Sequence, residues 1–274
     1  MKLELDEALN VFISNNALCF ITTPRYSWDS MSISAGVKNG DGDRFWVKIT
    51  VCPNKIPPDN WQIEKMTDKL DPKVIRPGLI KFEEWNNNSH LYKATIHSFI
   101  SDRSISTTPV IDTETRLPYE WFHALNSILS TLEQEKTTRI TIRQEQVTAV
   151  IQKELGQSVD ATIQNWNTIH GDLHWGNITY PQLAILDWDT WGLGPASYDV
   201  ALLAGFAVNN EVVLASINEV FHDKLSSRDG LLMQFYTLIE IRDIISKHGD
   251  YVELKPRVGS QIAQLSSLLR NEKN

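Results

Sequence analysis

The spacing of apolar residues along the chain changes near residue 100. Before it, short runs alternate with a period of two; after it, apolar residues recur every three to four positions. In the first part, residues 5–13 predict a short amphipathic helix, and residues 17–22 and 31–37 predict strands around a polar turn at 23–30. The turn Lys38-Asn39-Gly40-Asp41-Gly42-Asp43 leads into a strand whose Phe45, Val47 and Ile49 share one face while Trp46 and Lys48 share the other. Pro57-Pro58-Asp59 opens a predicted helix running to Leu70, with Ile63, Met66 and Leu70 as its stripe. Residues 79–85 and 91–100 predict two more strands, joined by Asn86-Asn87-Asn88-Ser89. The order is three strands, a helix and two strands, a small five-stranded antiparallel lobe.

Beyond a Ser- and Thr-rich linker at residues 101–115, Pro118 opens a helix carrying Phe122, Leu125, Leu129 and Leu132 at helical spacing, and a second helix covers residues 144–155. A strand-like island occupies residues 168–186. Helices follow at 198–208, 211–221, 231–248 and 257–270, the third stopping at Gly249 after Lys247 and His248. The predicted class is α+β, with one lobe at residues 1–100 and a mainly helical lobe at 101–274.

Composition narrows the function classes. With 274 residues, 42% apolar and 22% charged, the chain can bury a core without disulfide or metal. Its 26 basic against 34 acidic residues leave a net charge of −8, which disfavours nucleic acid as a partner and suits cationic ligands. Cys19 and Cys52 are far apart and form no CxxC pair. The first ten residues carry acids where a secretory leader carries bases, and no apolar run reaches the ~18 residues of a membrane span. The expected compartment is a reducing cytoplasm, with no membrane partner.

The island holds the candidate chemistry. It reads His170-Gly171-Asp172-Leu173-His174-Trp175-Gly176-Asn177, then a hairpin turning at Tyr180-Pro181-Gln182, then Ile185-Leu186-Asp187-Trp188-Asp189. Asp172, Asn177 and the returning Asp187 make a set of hard oxygen ligands of the kind Mg²⁺ takes together with phosphate oxygens. An Asp not committed to metal can orient a hydroxyl. The pattern HxDxxxxN followed by D is the one phosphoryl transfer uses. An alternative reads His170, Asp172 and His174 as the zinc or iron ligands of a hydrolase.

The stretch HGDLHWGN followed by ILDWDTWGLGPASYDVALL, residues 168–202, resembles the aminoglycoside phosphotransferase family, the small-molecule branch of the protein-kinase-like fold. The resemblance implies a two-lobed enzyme using ATP or GTP with Mg²⁺. It implies Asp172 as catalytic base, Asn177 and Asp187 as magnesium ligands, His170 as a brace of the loop, and Asp199 as an anchor of the following helix to that loop. On the nucleotide side it implies Lys48 as the phosphate-positioning lysine, paired with Glu64 on the following helix, with Asp68 as the spare. The turn at residues 23–30 has no glycine; the hydroxyls of Ser27 and Ser30 would cover phosphates there, and adenine would dock around Phe99, near the lobe junction.

Only eleven residues separate Asp187 from Asp199, too few for a peptide-docking activation segment, and Gly171 stands where protein kinases carry Arg. Both features point to a small-molecule hydroxyl acceptor. His174, Trp175, Asp189, Glu240 and Asp243 are the candidate acceptor residues, and an acidic pocket suits a cationic acceptor such as an aminoglycoside or related antibiotic. Nine tryptophans, with Trp175, Trp188 and Trp191 beside the site, leave open a choline or amino-alcohol kinase; the glycine-free turn leaves open a nucleotide-binding pseudokinase.

Overall fold

Strand alternation builds the first of two units. The computed structural model describes residues 2–58, 60–87 and 89–271. Residues up to Lys69 together with Arg76–Ser101 form one unit; Leu70–Ile75 joins the chain from Asp102 onward in the other. In the first, α1 (Lys2–Asn15) precedes β1 (Cys19–Phe20), β2 (Arg25–Tyr26), β3 (Ser32–Lys38), β4 (Arg44–Cys52), α2 (Ile63–Thr67), β5 (Leu79–Asn86) and β6 (Leu91–Ser98). The sheet is antiparallel in the order β1-β3-β4-β6-β5, and β2 pairs with β3. Val47 lies opposite Ala35 and Ile96, and Ile49 opposite Ile33 and Ala94. That face meets Leu5, Leu9, Phe12 and Ile13 of α1 in one core, each fully buried aliphatic side chain contributing roughly 1.5–3 kcal/mol. The opposite face carries Ser34, Lys48 and Thr95 in one cross-strand row.

Two expectations for this unit change. The helix predicted from Pro57 to Leu70 is only Ile63–Thr67, because Pro57 and Pro58 lead into a turn closed by the Trp61 N–H on Pro58 O. Ile63 and Leu70 are buried as the stripe requires, but Met66 is 39% exposed, and it is Glu64 and Thr67 that turn inward. Asp59 lies outside the described residues, as does Asn88 of the turn between β5 and β6. The polar turn at 23–30 contains the strand β2.

In the second unit, β7 (Arg103–Ser104) is followed by α3 (Tyr119–Leu132), α4 (Gln144–Leu155), β8 (Trp166–Ile169), β9 (Thr179–Tyr180), β10 (Gly192–Pro195), α5 (Tyr198–Gly205), α6 (Glu211–Val220), α7 (His222–Ser226), α8 (Arg228–His248) and α9 (Lys255–Asn271). Phe122, Leu125, Leu129 and Leu132 of α3 are all buried. The Ser227 hydroxyl caps α8 by accepting the Gly230 N–H at 3.0 Å, and Gly249 ends that helix with φ 73°. Buried Asp229, in its first turn, accepts the N–H groups of Gln164 and Asn165 and so fixes the chain entering β8.

Residues 101–115 are not a bare linker: β7 pairs with β9, and Ile111 is buried. Strand β10 was not foreseen, since Gly-Leu-Gly-Pro reads as a breaker. Its glycines fit through close approach, a Cβ on Gly194 standing 2.3 Å from Ile169 Cδ1. Among the described residues no helix is long and apolar enough to cross a membrane.

Candidate active site

The loop from His170 to Asn177 follows β8, whose end is held by β10 through the pairing of Ile169 with Gly192. Asp199, in the first turn of α5, accepts the N–H groups of His170 at 2.7 Å and Gly171 at 2.8 Å. Two charge-assisted bonds from one buried carboxylate set the backbone just before Asp172. Gly171 has φ 81°, and a Cβ there would lie 2.7 Å from Thr141 Cγ2 and 2.9 Å from Thr190 O. Both the conformation and the space demand glycine.

His170 is fully buried. Its Nδ1 accepts the Asp172 N–H at 3.3 Å, Nε2 donates to Leu186 O at 3.0 Å, and its ring stands edge-on to Trp188. Burial holds its pKa down at about 4, so the ring is neutral. Nδ1 braces the loop internally and Nε2 ties it to the segment just before Asp187, which leaves neither for a metal and removes the HxDxH alternative. Among the described residues no three His, Cys, Asp or Glu side chains gather as a metal site.

Asn177 Nδ2 donates to Asp172 O at 3.0 Å and to Asp172 Oδ2 at 3.3 Å. With its N–H₂ facing two acceptors, the amide is oriented, and Oδ1 points away from them. The Leu186 N–H donates to Asn177 O at 2.8 Å, so Asp187, the next residue, comes beside Asn177. Asp187 has φ 57°, the left-handed region that Asp tolerates better than bulkier residues. Desolvation raises the Asp172 pKa to about 7, with Asp187, Asp199 and Asp189 adding repulsion and the Asn177 hydrogen bond opposing it. Its side chain is still 42% exposed, so it can meet a reactant. The Asp187 carboxylate and the outward amide oxygen of Asn177 are hard-oxygen donors of the kind that fits Mg²⁺.

One acceptor expectation is corrected. Trp175 is fully buried, its Nε1 donates to Leu203 O at 3.1 Å and its ring stacks on Trp121, so it belongs to the core. His174 turns toward Asp172: Nδ1 accepts the Gly176 N–H at 3.1 Å, and Nε2 lies 3.7 Å from Asp172 Oδ2. Asp243 pairs with Arg242, which also grips Glu154 through two hydrogen bonds, so its charge serves an ion network. Asp189 O accepts from Arg139 Nη2 at 2.7 Å. Glu240 keeps a distinct environment: it accepts from the Tyr198 hydroxyl at 3.2 Å and from Tyr236. Desolvation raises its pKa to about 7. Burial pushes the Tyr198 phenol well above 10, and Glu240, Tyr236, Asp172 and Asp199 add to the rise, so the ring stays protonated and can donate to Glu240.

In the sheet unit Lys48 is half-buried in the polar row with Ser34 and Thr95. Glu64 is held by Lys93: the ammonium is 2.8 Å from Oε1 and 3.1 Å from Oε2, donates also to Trp61 O at 2.8 Å, and lies over the Trp61 ring, both partners being 7% exposed. Asp68 Oδ1 accepts the Leu79 N–H. The Ser27 hydroxyl donates to Asp29 and accepts the Ser32 N–H, and Ser30, at φ 58°, donates its N–H to Ser27 O, so these two groups shape the turn itself. Phe99 packs where a Cβ on Gly36 would stand, 3.1 Å from Cε2, with Arg44 over its ring.

Sequence reasoning missed Lys93, Tyr198, Tyr236 and Arg139. Lys93 had a signal: in Leu91–Ser98 it shares a face with Thr95 and His97, a polar row in a buried strand. Tyr236 had one too, standing four residues before Glu240 in the helix predicted at 231–248, whereas Tyr198 had none, since its role depends on how α5 and α8 pack.

The pattern of the phosphotransferase enzyme family (APH) matches residues 94–231, just over half of the chain. No curated protein sequence matches. A choline kinase from Cryptosporidium parvum Iowa II aligns with TM-score 0.58 at 10% identity, over 98% of this chain and 97% of that one. The amicoumacin kinase hAmiN, in complex with AMP-PNP, Ca²⁺ and Ami, aligns with TM-score 0.57 at 13% identity, over 96% and 93%. A spectinomycin phosphotransferase in complex with ADP and spectinomycin aligns with TM-score 0.54 at 13% identity, over 92% and 93%. At these identities the structures establish a shared fold.

Proposed function

We propose that this chain, which belongs to the phosphotransferase enzyme family, moves the γ-phosphate of ATP to a hydroxyl of a small cationic molecule, an aminoglycoside or similar antibiotic being the first candidate. The observation that carries the reading is the oriented amide of Asn177, which turns its oxygen away from Asp172 and sits beside Asp187. Asp172 orients the acceptor hydroxyl and takes its proton. The hydroxyl oxygen bonds to the γ-phosphorus as the bond to the β–γ bridging oxygen breaks, and the nucleoside diphosphate leaves. Asn177 and Asp187 would hold magnesium, which when bound supplies positive charge to the phosphate oxygens. Lys48 binds the α- and β-phosphates. The protein's share is positioning and electrostatics.

Glu240 favours a second reading of the acceptor. One carboxylate bracketed by two tyrosines suits a single ammonium group, as in choline or an amino alcohol, better than a polyamine that needs several acids. Phosphate transfer from ATP or GTP with Mg²⁺ to a panel of aminoglycosides, peptide antibiotics, choline and ethanolamine separates the readings. Asp172→Ala should lower transfer by about 10²–10⁴ while leaving nucleotide binding intact. Near-native transfer by that variant overturns the assignment of the base, and nucleotide binding without transfer to any acceptor or to water favours a pseudokinase.

A further inference from the structure

His174 has a ring whose single proton can be placed from its contacts. Nδ1 accepts the Gly176 N–H at 3.1 Å, the backbone carbonyl accepts the Asn177 N–H at 2.9 Å, and the ring stands edge-on to Phe206. Gly176 is what allows the ring to sit over this turn, since a Cβ there would lie 3.1 Å from Cε1 and 3.2 Å from Nδ1. A ring nitrogen that accepts an N–H carries no proton, so the hydrogen of the neutral imidazole is on Nε2.

Nε2 stands 3.3 Å from Asn177 Nδ2 and 3.7 Å from Asp172 Oδ2. The two amide hydrogens of Asn177 go to Asp172 O and Oδ2. The contact between Nε2 and Nδ2 is therefore donor against donor, and Oδ2 is the acceptor open to Nε2–H. We infer that His174 is a positioning residue for the base: its Nε2–H and the Asn177 amide together engage Oδ2 of Asp172 and turn Oδ1 toward the acceptor hydroxyl. The separation of 3.7 Å is longer than a full hydrogen bond and closes as the carboxylate rotates onto its reactant. The inference rests on the reading of Asp172 as base and adds which of its oxygens takes the proton.

The test uses two substitutions that divide the ring's functions. In His174→Asn the side-chain oxygen falls near Nδ1 and keeps the anchor on Gly176, but nothing reaches Asp172. In His174→Gln the amide reaches the position of Nε2 and can donate to Oδ2. With magnesium and ATP, and kanamycin, choline or water as acceptor, H174N should lose about 10- to 100-fold in kcat with KM for ATP changed less than about threefold, and H174Q should recover to within about fivefold of wild type. Equal losses in H174N and H174Q, or a native kcat in H174N, overturn the inference. Long-range ¹H–¹⁵N correlation of the imidazole in the wild-type protein gives a readout without turnover or mutation: a ring protonated on Nε2 supports the inference, and one protonated on Nδ1 overturns it. Asp172→Ala run alongside keeps the two claims apart. Native turnover there rejects the base, whereas loss there with native H174N rejects only the role of His174.

Discussion

Replacing Glu240 by glutamine tests the acceptor side through both stability and binding. Desolvation in the surroundings of Tyr198 and Tyr236 raises this carboxyl from 4.5 to about 7. Because the folded state holds the proton more tightly than the unfolded chain, stability is greatest below the unfolded value and falls as pH rises toward the folded one. A shift of this size corresponds to about 3 kcal/mol in all, of which about 2.5 kcal/mol is lost between about pH 5 and pH 8. Glutamine occupies the same volume, can accept from the tyrosine hydroxyls and does not titrate. Asp172 and Asp199, also raised, give a background slope of the same sign in both proteins, so the difference between the proteins isolates Glu240. Urea unfolding at the two pH values should show E240Q gaining about 2 kcal/mol on wild type at the higher pH relative to the lower. The same variant should raise KM for a cationic acceptor by about tenfold or more and leave KM for ATP unchanged. Parallel pH slopes for the two proteins would refute the burial argument, and an unchanged acceptor KM would refute the ammonium subsite.

Lys93→Met should cost about 3–5 kcal/mol in denaturant unfolding by leaving the Glu64 charge buried and unpaired, and Lys93→Met with Glu64→Leu should recover most of it. A single variant within about 1 kcal/mol of wild type would mean that the pair carries little. Gly171→Ala should lose about 2–4 kcal/mol and most of the turnover, because its φ and the approach of Thr141 and Thr190 O leave no room for a Cβ next to Asp172; native activity would show that the loop can shift without disturbing the base.

Much of this protein follows from local pattern. The alternation in Arg44–Cys52 puts Val47 and Ile49 in the core and Lys48 on the other face, and the apolar spacing in Tyr119–Leu132 forms the buried stripe of a helix. Membership of a phosphotransferase family follows from a run of residues around His170–Asn177 and Asp187, because the loop and hairpin are contiguous in sequence and local turns bring their ends together. What tertiary structure alone decided is which side chains meet across distant elements. Glu64 of α2 met Lys93 of β6, Trp175 of the loop went into the core against Trp121 of α3, and Glu240 of α8 met Tyr198 of α5. Periodicity says which face a residue occupies, but a partner is selected by packing between faces far apart in the chain, and no short-range pattern carries that distance.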